Sequence, residues 1–258
     1  MRFAFDNNRS TAQQRVFDSA VLSPWRVSDV FSGDSISGVG DEKSRLEWAP
    51  VLASLAFGEA TAFAGFGQRI AESDDISTKT WLTVHLADES KHTEGFSALL
   101  DHLYPSYRGR QETLLRSKDV LVFYGRTQRA DDLLQWLVCT QIAEIFGMYC
   151  YKALHQKLRQ DPIAGQFIAN IISDEGRHIA YIGSLVDERW KQVGEKTWNA
   201  RYAPFAESMI LYARNMFEAR KSGVNFHSFG KMGIDVTAFC NAASEELARK
   251  LLKSQGCT

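Results

Sequence analysis

The sequence predicts an all-α protein, a four-helix bundle with additional flanking helices, and three observations carry that prediction. First, Asp-Glu-x-x-His occurs twice, as Asp88-Glu89-Ser90-Lys91-His92 and as Asp174-Glu175-Gly176-Arg177-His178. Second, a glutamate inside an apolar run precedes each copy at almost the same distance. Glu59 lies 30 residues before Glu89, and Glu144 lies 31 before Glu175. Third, turn formers stand halfway through each interval, in Glu72-Ser73-Asp74-Asp75-Ile76-Ser77-Thr78 and in Arg159-Gln160-Asp161-Pro162. Each half therefore reads as a helix, a turn and a returning helix, with no strand-like alternation to compete. With about 15 residues per arm at roughly 1.5 Å each, a lone glutamate and its Glu-x-x-His reach the same height, some 20 Å from the turn. The three-residue offset puts Glu and His on one helix face. Two such hairpins converge four carboxylates and two imidazoles.

In chain order, residues 1–44 are expected to form an irregular N-terminal extension, with a short helix around residues 11–21 and a loop over residues 32–40. The helical domain, with its C-terminal helices, is expected to occupy residues 45–258. Its first bundle helix is expected from about Pro50 to Ala71, with the proline near the start. The second is expected from Ser77 to Leu103, stopped near Tyr104-Pro105. A connection follows, with a short helix near Glu112 to Phe123, then Gly125 and a polar stretch to Ala130. The third helix is expected over residues 131–158, where Asp131 and Asp132 suit its positive end. The fourth is expected over residues 162–193, capped by Asp161 with Pro162 in the first turn. Two more helices are expected over residues 197–222 and 236–254, separated by Gly223 and Gly230-Lys231-Met232-Gly233.

Bulk properties narrow the function classes. The 258 residues are 45% apolar and 24% charged, which suits one large domain with a sizeable core. A net charge of −1 gives no reason to expect nucleic acid or an anionic membrane as partner. No apolar stretch reads as approaching the roughly 20 residues of a spanning helix. The opening residues lack a signal-type apolar run. Cys139, Cys150, Cys240 and Cys257 show no Cys-x-x-Cys spacing, against a disulfide scaffold or a thiolate zinc site. A cytoplasmic location with reduced thiols is expected.

The chemistry lies in the doubled motif. Four glutamates and two histidines in this order are the donor set of a carboxylate-bridged two-metal centre inside a bundle. A lone Glu-x-x-His is a common surface pair, but here the partner glutamates sit amid Phe, Leu, Ile, Ala and Gly. An unpaired carboxylate there would cost several kcal/mol. Glu59, Glu89, His92, Glu144, Glu175 and His178 are therefore expected to bind two metals and to carry catalysis. Hard carboxylates suit iron and manganese, and such a pair makes O2 chemistry the leading expectation. Asp88 and Asp174 are expected to accept the outer N–H of the metal-bound histidines. Arg177 is a candidate brace for those aspartates, and Lys91 is expected to face solvent. His85, one turn before Glu89, is a candidate additional ligand, proton shuttle or core histidine. His102, His155 and His227 are expected to be structural. Gly58, Ala62, Phe63, Phe96, Cys139, Thr140, Met148 and Ile172 are candidates for an apolar pocket for O2 and substrate.

On these residues the chain resembles the ferritin-like superfamily, in the branch related to the ribonucleotide reductase small subunit. Gly58-Glu59-Ala60 through Asp88-Glu89-Ser90-Lys91-His92-Thr93, with Asp174-Glu175-Gly176-Arg177-His178, resembles the ligand-binding oxidases of that branch. The tract from Phe226 to Gly233 does so more loosely. The resemblance covers roughly residues 45–235. It implies a ferritin-like four-helix bundle with additional flanking helices and a di-iron or manganese–iron centre on the six ligands. In the similar bacterial multicomponent monooxygenases, aspartates contact the ligand histidines. The radical-forming tyrosine of the reductase subunit corresponds to Phe96, and residues 250–258 lack an aromatic relay, so a radical-supplying role is not implied. The Val–Tyr cross-link of the ligand-binding oxidases corresponds to Ala62 and Cys139, which cannot form it. Arylamine N-oxygenases add a histidine one turn before the last Glu-x-x-His glutamate. That position is Ile171 here, while His85 occupies its counterpart in the first hairpin.

The expected function is a non-haem di-iron oxygenase or oxidase, with two Fe ions (or Mn/Fe) and O2 as co-substrate. It would oxidise a small organic substrate by C-hydroxylation or N-oxygenation. An external electron donor, a reductase or ferredoxin, is expected, because no flavin or nicotinamide motif is visible. A monomer or homodimer is expected. The alternative is a ferroxidase or iron-handling ferritin-like protein, whose ligand order is the same.

Overall fold

Aspartates decide where the long helices begin. The computed structural model describes residues 11–22, 25–32, 42–104, 118–218 and 228–252. In chain order its helices are α1 (Thr11–Leu22), α2 (Val27–Val30), α3 (Glu42–Glu72), α4 (Ile76–Leu103), α5 (Lys118–Gln128), α6 (Leu133–Leu158), α7 (Pro162–Thr197), α8 (Ala203–Glu218), α9 (Ser228–Lys231) and α10 (Val236–Leu251). Asp75 caps α4 by accepting from the Ser77 and Thr78 N–H groups. Asp132 caps α6 through the Gln135 N–H, while the Gln135 side chain returns to the Asp131 N–H. Asp161 caps α7 through Ile163 and Ala164, with Pro162 at the first turn as expected. Helical geometry in α7 breaks at Gly194, where φ is +77°, and a π-turn over Trp198–Tyr202 leads into α8.

Among the boundaries that differ from the sequence expectation, two involve local stop signals. Pro50 lies eight residues inside α3 rather than near its start. A proline there removes one backbone hydrogen bond, but Trp48, Ala49, Val51 and Leu52 are all buried around it. Tertiary packing of this segment overrides the local stop signal. Gly125 falls within α5 rather than after a helix. The expected helix start near Glu112, together with His227 and Cys257, lies outside the described residues.

The core is where the two hairpins meet. α3 packs along α4, α6 along α7, and α4 against α7. Trp81 of α4 stacks on Tyr181 of α7 with centroids 4.0 Å apart. Phe66 of α3 meets Trp136 of α6 edge-on at 5.0 Å. α8 and α10 cover α6, α5 packs on α3, α6 and α8, and α1 lies on α4 and α7. No strand occurs among the described residues. The expectation about apolar stretches needs correction. Trp48–Glu72 and Leu133–Leu158 are each long and apolar enough to cross a membrane by length and composition. Their most apolar windows are 61% and 78% buried inside the bundle, so this apolarity faces the core.

Gly95 of α4 lies directly against the Phe167 side chain of α7. A Cβ built there would overlap the Phe167 ring. Gly95→Ala gains about 1 kcal/mol of helix propensity but forces that ring aside at about 1–3 kcal/mol. Net destabilisation in a urea melt is the expected result; a stabilised variant would show that the helices part freely here.

Candidate metal centre

Each bundle helix delivers its part of the motif to one buried cluster. Glu59 projects from α3, Glu89 and His92 from α4, Glu144 from α6, and Glu175 and His178 from α7. All six are buried, and both histidines are 0% exposed. The structure thus brings together every residue that the doubled motif predicted, and His85 joins them. Their donor atoms form two groups, Glu59, Glu89, His92 and Glu175, and His85, Glu89, Glu144 and His178. Within each group all donors lie within 4.8 Å of one another. Glu89 belongs to both, the place of a carboxylate shared between two ions.

The orientation of the two motif histidines fits metal binding. His92 Nε2 lies 3.2 Å from Asp174 Oδ2, and His178 Nε2 lies 3.2 Å from Asp88 Oδ2. Each aspartate therefore holds the histidine of the other hairpin. With Nε2 as the donor to an aspartate, each Nδ1 turns a bare lone pair inward. His92 Nδ1 stands 3.5 Å from Glu175 Oε1 and 3.6 Å from Glu59 Oε2. His178 Nδ1 stands 3.4 Å from oxygens of Glu89 and Glu144. Neither Nδ1 has a hydrogen-bond partner. Fully buried lone pairs facing carboxylate oxygens repel unless a cation lies between them. The residues present fit two metal ions, held by inner Nδ1 atoms and carboxylates, with the outer Nε2–H groups fixed by carboxylates.

Basic and aromatic side chains brace the aspartates. Lys91 Nζ lies 2.6 Å from Asp88 Oδ1 and 3.5 Å from Asp174 Oδ2. The expectation that Lys91 faces solvent is thereby corrected: pairing with two buried carboxylates holds it in. Arg177 pairs with Asp174 and lies 3.7 Å from Asp88. The Trp25 Nε1–H donates to Asp174 Oδ2 at 2.8 Å, and its ring lies nearly parallel to His92 at 6.3 Å. Sequence inspection missed Trp25, which comes from a segment with no periodicity. It also missed Tyr151, whose hydroxyl donates to Glu59 Oε1. That one was findable, since Tyr151 follows Glu144 by two helical turns and shares its face.

Of the other described histidines, only His102 has a side-chain partner that bears on its role. His102 Nε2 bonds the α7 cap Asp161 at 3.0 Å, a structural role, and His155 lies on the far turns of α6.

The cluster's electrostatics follow from packing four carboxylates out of water. Burial, then the charge of Glu89, pushes the Glu59 carboxyl up to about 8. Burial and the charge of Glu144 hold Glu175 well above the usual carboxylate range. At Glu144 burial also opposes ionisation, but the charge of His85 and nearby hydrogen bonds overcome it and hold it low. Burial works against a charged His85, yet the charge and hydrogen bond of Glu144 raise it to about 9. Asp174 stays ionised because the His92 hydrogen bond and charge outweigh its burial.

These shifts predict a pH dependence for the metal-free chain. Glu59 has an unfolded value of 4.5 and a folded value of about 8, so it favours the fold at low pH and loses that contribution as pH rises from 4.5 to 8. His85 contributes fully below 6.5 and loses its contribution as pH rises through about 9. The melting temperature of metal-free protein is therefore expected to fall between pH 6.5 and 9. Bound metals replace those protons and should remove most of the fall. A metal-free chain most stable at pH 9 would contradict this account of the cluster.

A cavity of about 110 Å³ opens onto the carboxylates. Glu59, Glu89, Glu144 and Glu175 all line it, and Phe66, Trp136, Phe146 and Phe217 form apolar walls. Of the expected pocket residues, Gly58, Ala62, Cys139 and Thr140 line it, whereas Phe63, Phe96, Met148 and Ile172 do not. Phe63 is 38% exposed, and Phe96 packs against Phe167 instead.

Neither a protein-family model nor a curated protein matches the chain. Solved structures do. A variant of an R2-like ligand-binding oxidase with an anaerobically reconstituted Mn/Fe cofactor is similar at 14% identity and a TM-score of 0.70, covering 96% of each chain. An aerobically reconstituted Mn/Fe variant is similar at 13% identity and 0.68, covering 98% of this chain and 96% of that one. A third, anaerobically reconstituted, is similar at 15% and 0.68 with the same coverage. At such identities the likeness is one of fold, and the fold is the ferritin-like helical bundle of those oxidases.

Proposed function

We propose that this chain is an O2-dependent oxidoreductase that holds two metal ions, both iron or manganese and iron, and oxidises a small organic molecule. The ligands in this proposal are Glu59, Glu89, His92, Glu144, Glu175 and His178. Asp88 and Asp174 orient the histidines, and Arg177 steadies both aspartates. The observation that carries the proposal is the apolar cavity opening onto all four carboxylates. No Lys or Arg lines it among the described residues. Such walls suit an uncharged organic group better than a stream of hydrated Fe²⁺, which favours an enzyme over an iron-handling protein. A dry cavity of about 150 Å³ admits benzene, so the enclosed part of the substrate is of that order or smaller. The shared fold of oxidases described as carrying Mn/Fe supports the metal pair.

When bound, two ferrous ions supply electrons for the reduction of O2. The chain's own residues prepare the site for that chemistry. Glu89, reaching both donor groups, ties the two positions together. The aspartates fix the histidine tautomers. Tyr151 holds a proton at the cavity wall, donating it to Glu59. Burial and the charge of Glu59 keep that phenol protonated at neutral pH. The aromatic walls exclude water from the reacting group. An external donor, a reductase or ferredoxin, is part of the proposal, as are a cytoplasmic setting and a monomer or homodimer.

The test is turnover of the iron-loaded protein with a chemical reductant, ¹⁸O2 and a panel of small neutral aromatic and aliphatic amines and hydrocarbons. Incorporation of ¹⁸O at carbon or nitrogen supports the proposal. Growth of a ferric mineral beyond the bound ions, with no organic product, would overturn it in favour of iron handling. Ala62→Leu narrows the cavity without touching a ligand. It is expected to cut product formation at least about tenfold while leaving the metal content unchanged; loss of metal with loss of product would show that the cavity is not a separate substrate compartment.

A further inference from the structure

We propose that His85 is a third histidine donor to the metal pair and makes its two positions chemically unequal. This assignment rests on the two-metal site proposed above. His85 precedes Glu89 by one turn of α4, so its ring enters the same cluster. The ring is fully buried. Its Nε2 lies 2.9 Å from Glu89 Oε1 and 3.1 Å from Glu144 Oε1. It stacks on His178 with centroids 3.6 Å apart and planes 21° apart. His178 Nδ1 lies 3.4 Å from Glu89 Oε1 and from Glu144 Oε2. Neighbouring ligands of an octahedral ion with bonds of about 2.1 Å sit about 3 Å apart. These donors have the spacing of ligands around one ion.

The hydrogen bond between His85 Nε2 and Glu144 Oε1 accounts for one contact, but neither it nor core filling accounts for the rest of the arrangement. Glu89 Oε1 has no hydrogen-bond partner even though His85 Nε2 approaches to 2.9 Å. His85 Nδ1, on the far side of the ring, is also unpartnered. The ring packs against Phe66, 4.4 Å away between centroids, and Trp81 at 6.4 Å. An aliphatic side chain would fill this space without burying an unpaired nitrogen. A shared cation gives Nε2 and Glu89 Oε1 a reason to meet.

The donors then divide unevenly. One position has three carboxylates and one imidazole, from Glu59, Glu89, Glu175 and His92. The other has two carboxylates and two imidazoles, from Glu89, Glu144, His85 and His178. Imidazole favours ions later in the first transition row, and carboxylate suits manganese. Offered both ions, the His85–His178 position selects the later one.

The test uses crystals of the full chain loaded with one equivalent each of Co²⁺ and Mn²⁺, read by anomalous scattering at the cobalt edge. Cobalt is expected at the His85–His178 position, several-fold over the other, with His85 Nε2 within bonding distance. In His85→Ala the cobalt signal is expected to spread over both positions. Two bound ions with His85 Nε2 beyond bonding distance, or cobalt shared evenly in the unaltered chain, would overturn the assignment while leaving the two-metal site standing. No ion in the cluster would overturn both. The measurement on the unaltered chain decides the matter even where His85→Ala fails to fold.

Discussion

Glu89→Ala is expected to strip both metals from the protein, whereas Glu144→Ala is expected to leave one. Glu89 contributes an oxygen to both donor groups. Its loss removes a donor from each ion and the negative charge that offsets repulsion between two divalent cations a few ångströms apart. Glu144 belongs only to the group that includes His178. Removing a single carboxylate ligand should weaken the ion it serves by about 100-fold or more, since even outer partners of ligands account for about 10–100-fold. Metal content after dialysis against Fe²⁺ under anaerobic conditions reads the difference, with circular dichroism to confirm that each variant keeps its helices. O2 consumption should vanish in both variants. Equal loss of metal in the two would show that Glu89 is not shared.

Asp174→Ala is expected to cost stability and metal affinity together. One buried carboxylate here faces His92 Nε2, Trp25 Nε1, Lys91 and Arg177. Removing it leaves a partly buried guanidinium and ammonium with only Asp88 between them. Breaking a buried ion pair on one side typically costs about 3–5 kcal/mol. It also frees the His92 ring, which should weaken metal binding by about 10–100-fold. Asp174→Asn keeps the shape and one acceptor, so it should retain more stability than alanine while still weakening the metal. Chemical denaturation and metal titration measure the two effects separately. An alanine variant as stable as the unaltered chain would mean that solvent, rather than Asp174, satisfies these cations.

The sequence made some of this legible for definite physical reasons. Ligand residues recur at helical offsets on fixed-length hairpins, so Glu59, Glu89, His92, Glu144, Glu175 and His178 could be placed in one cluster from spacing alone. The caps were equally open, because Asp161 and Pro162 satisfy local backbone rules. What local rules do not encode was missed. Pro50 reads as a helix start, and only the burial of Trp48 and Ala49 around it shows why the helix continues. Trp25 has no periodic partner, and its role at Asp174 exists only once the segment folds back onto α4 and α7. Lys91 reads as an exposed helix residue because its partners include Asp174 on another helix. The cavity was half legible: Ala62 and Thr140 share faces with the ligands, but Phe217 arrives from α8, whose docking the sequence does not specify.

The most direct test of the two-metal centre is an anaerobic titration of the metal-free chain with Fe²⁺, followed by calorimetry in buffers of different ionisation enthalpy. Saturation at two ions per chain, with protons released at neutral pH as Glu59 and Glu175 give theirs up, is the expected result. Binding that never saturates, or that stops short of one ion per chain, would contradict the centre and the oxidoreductase built on it.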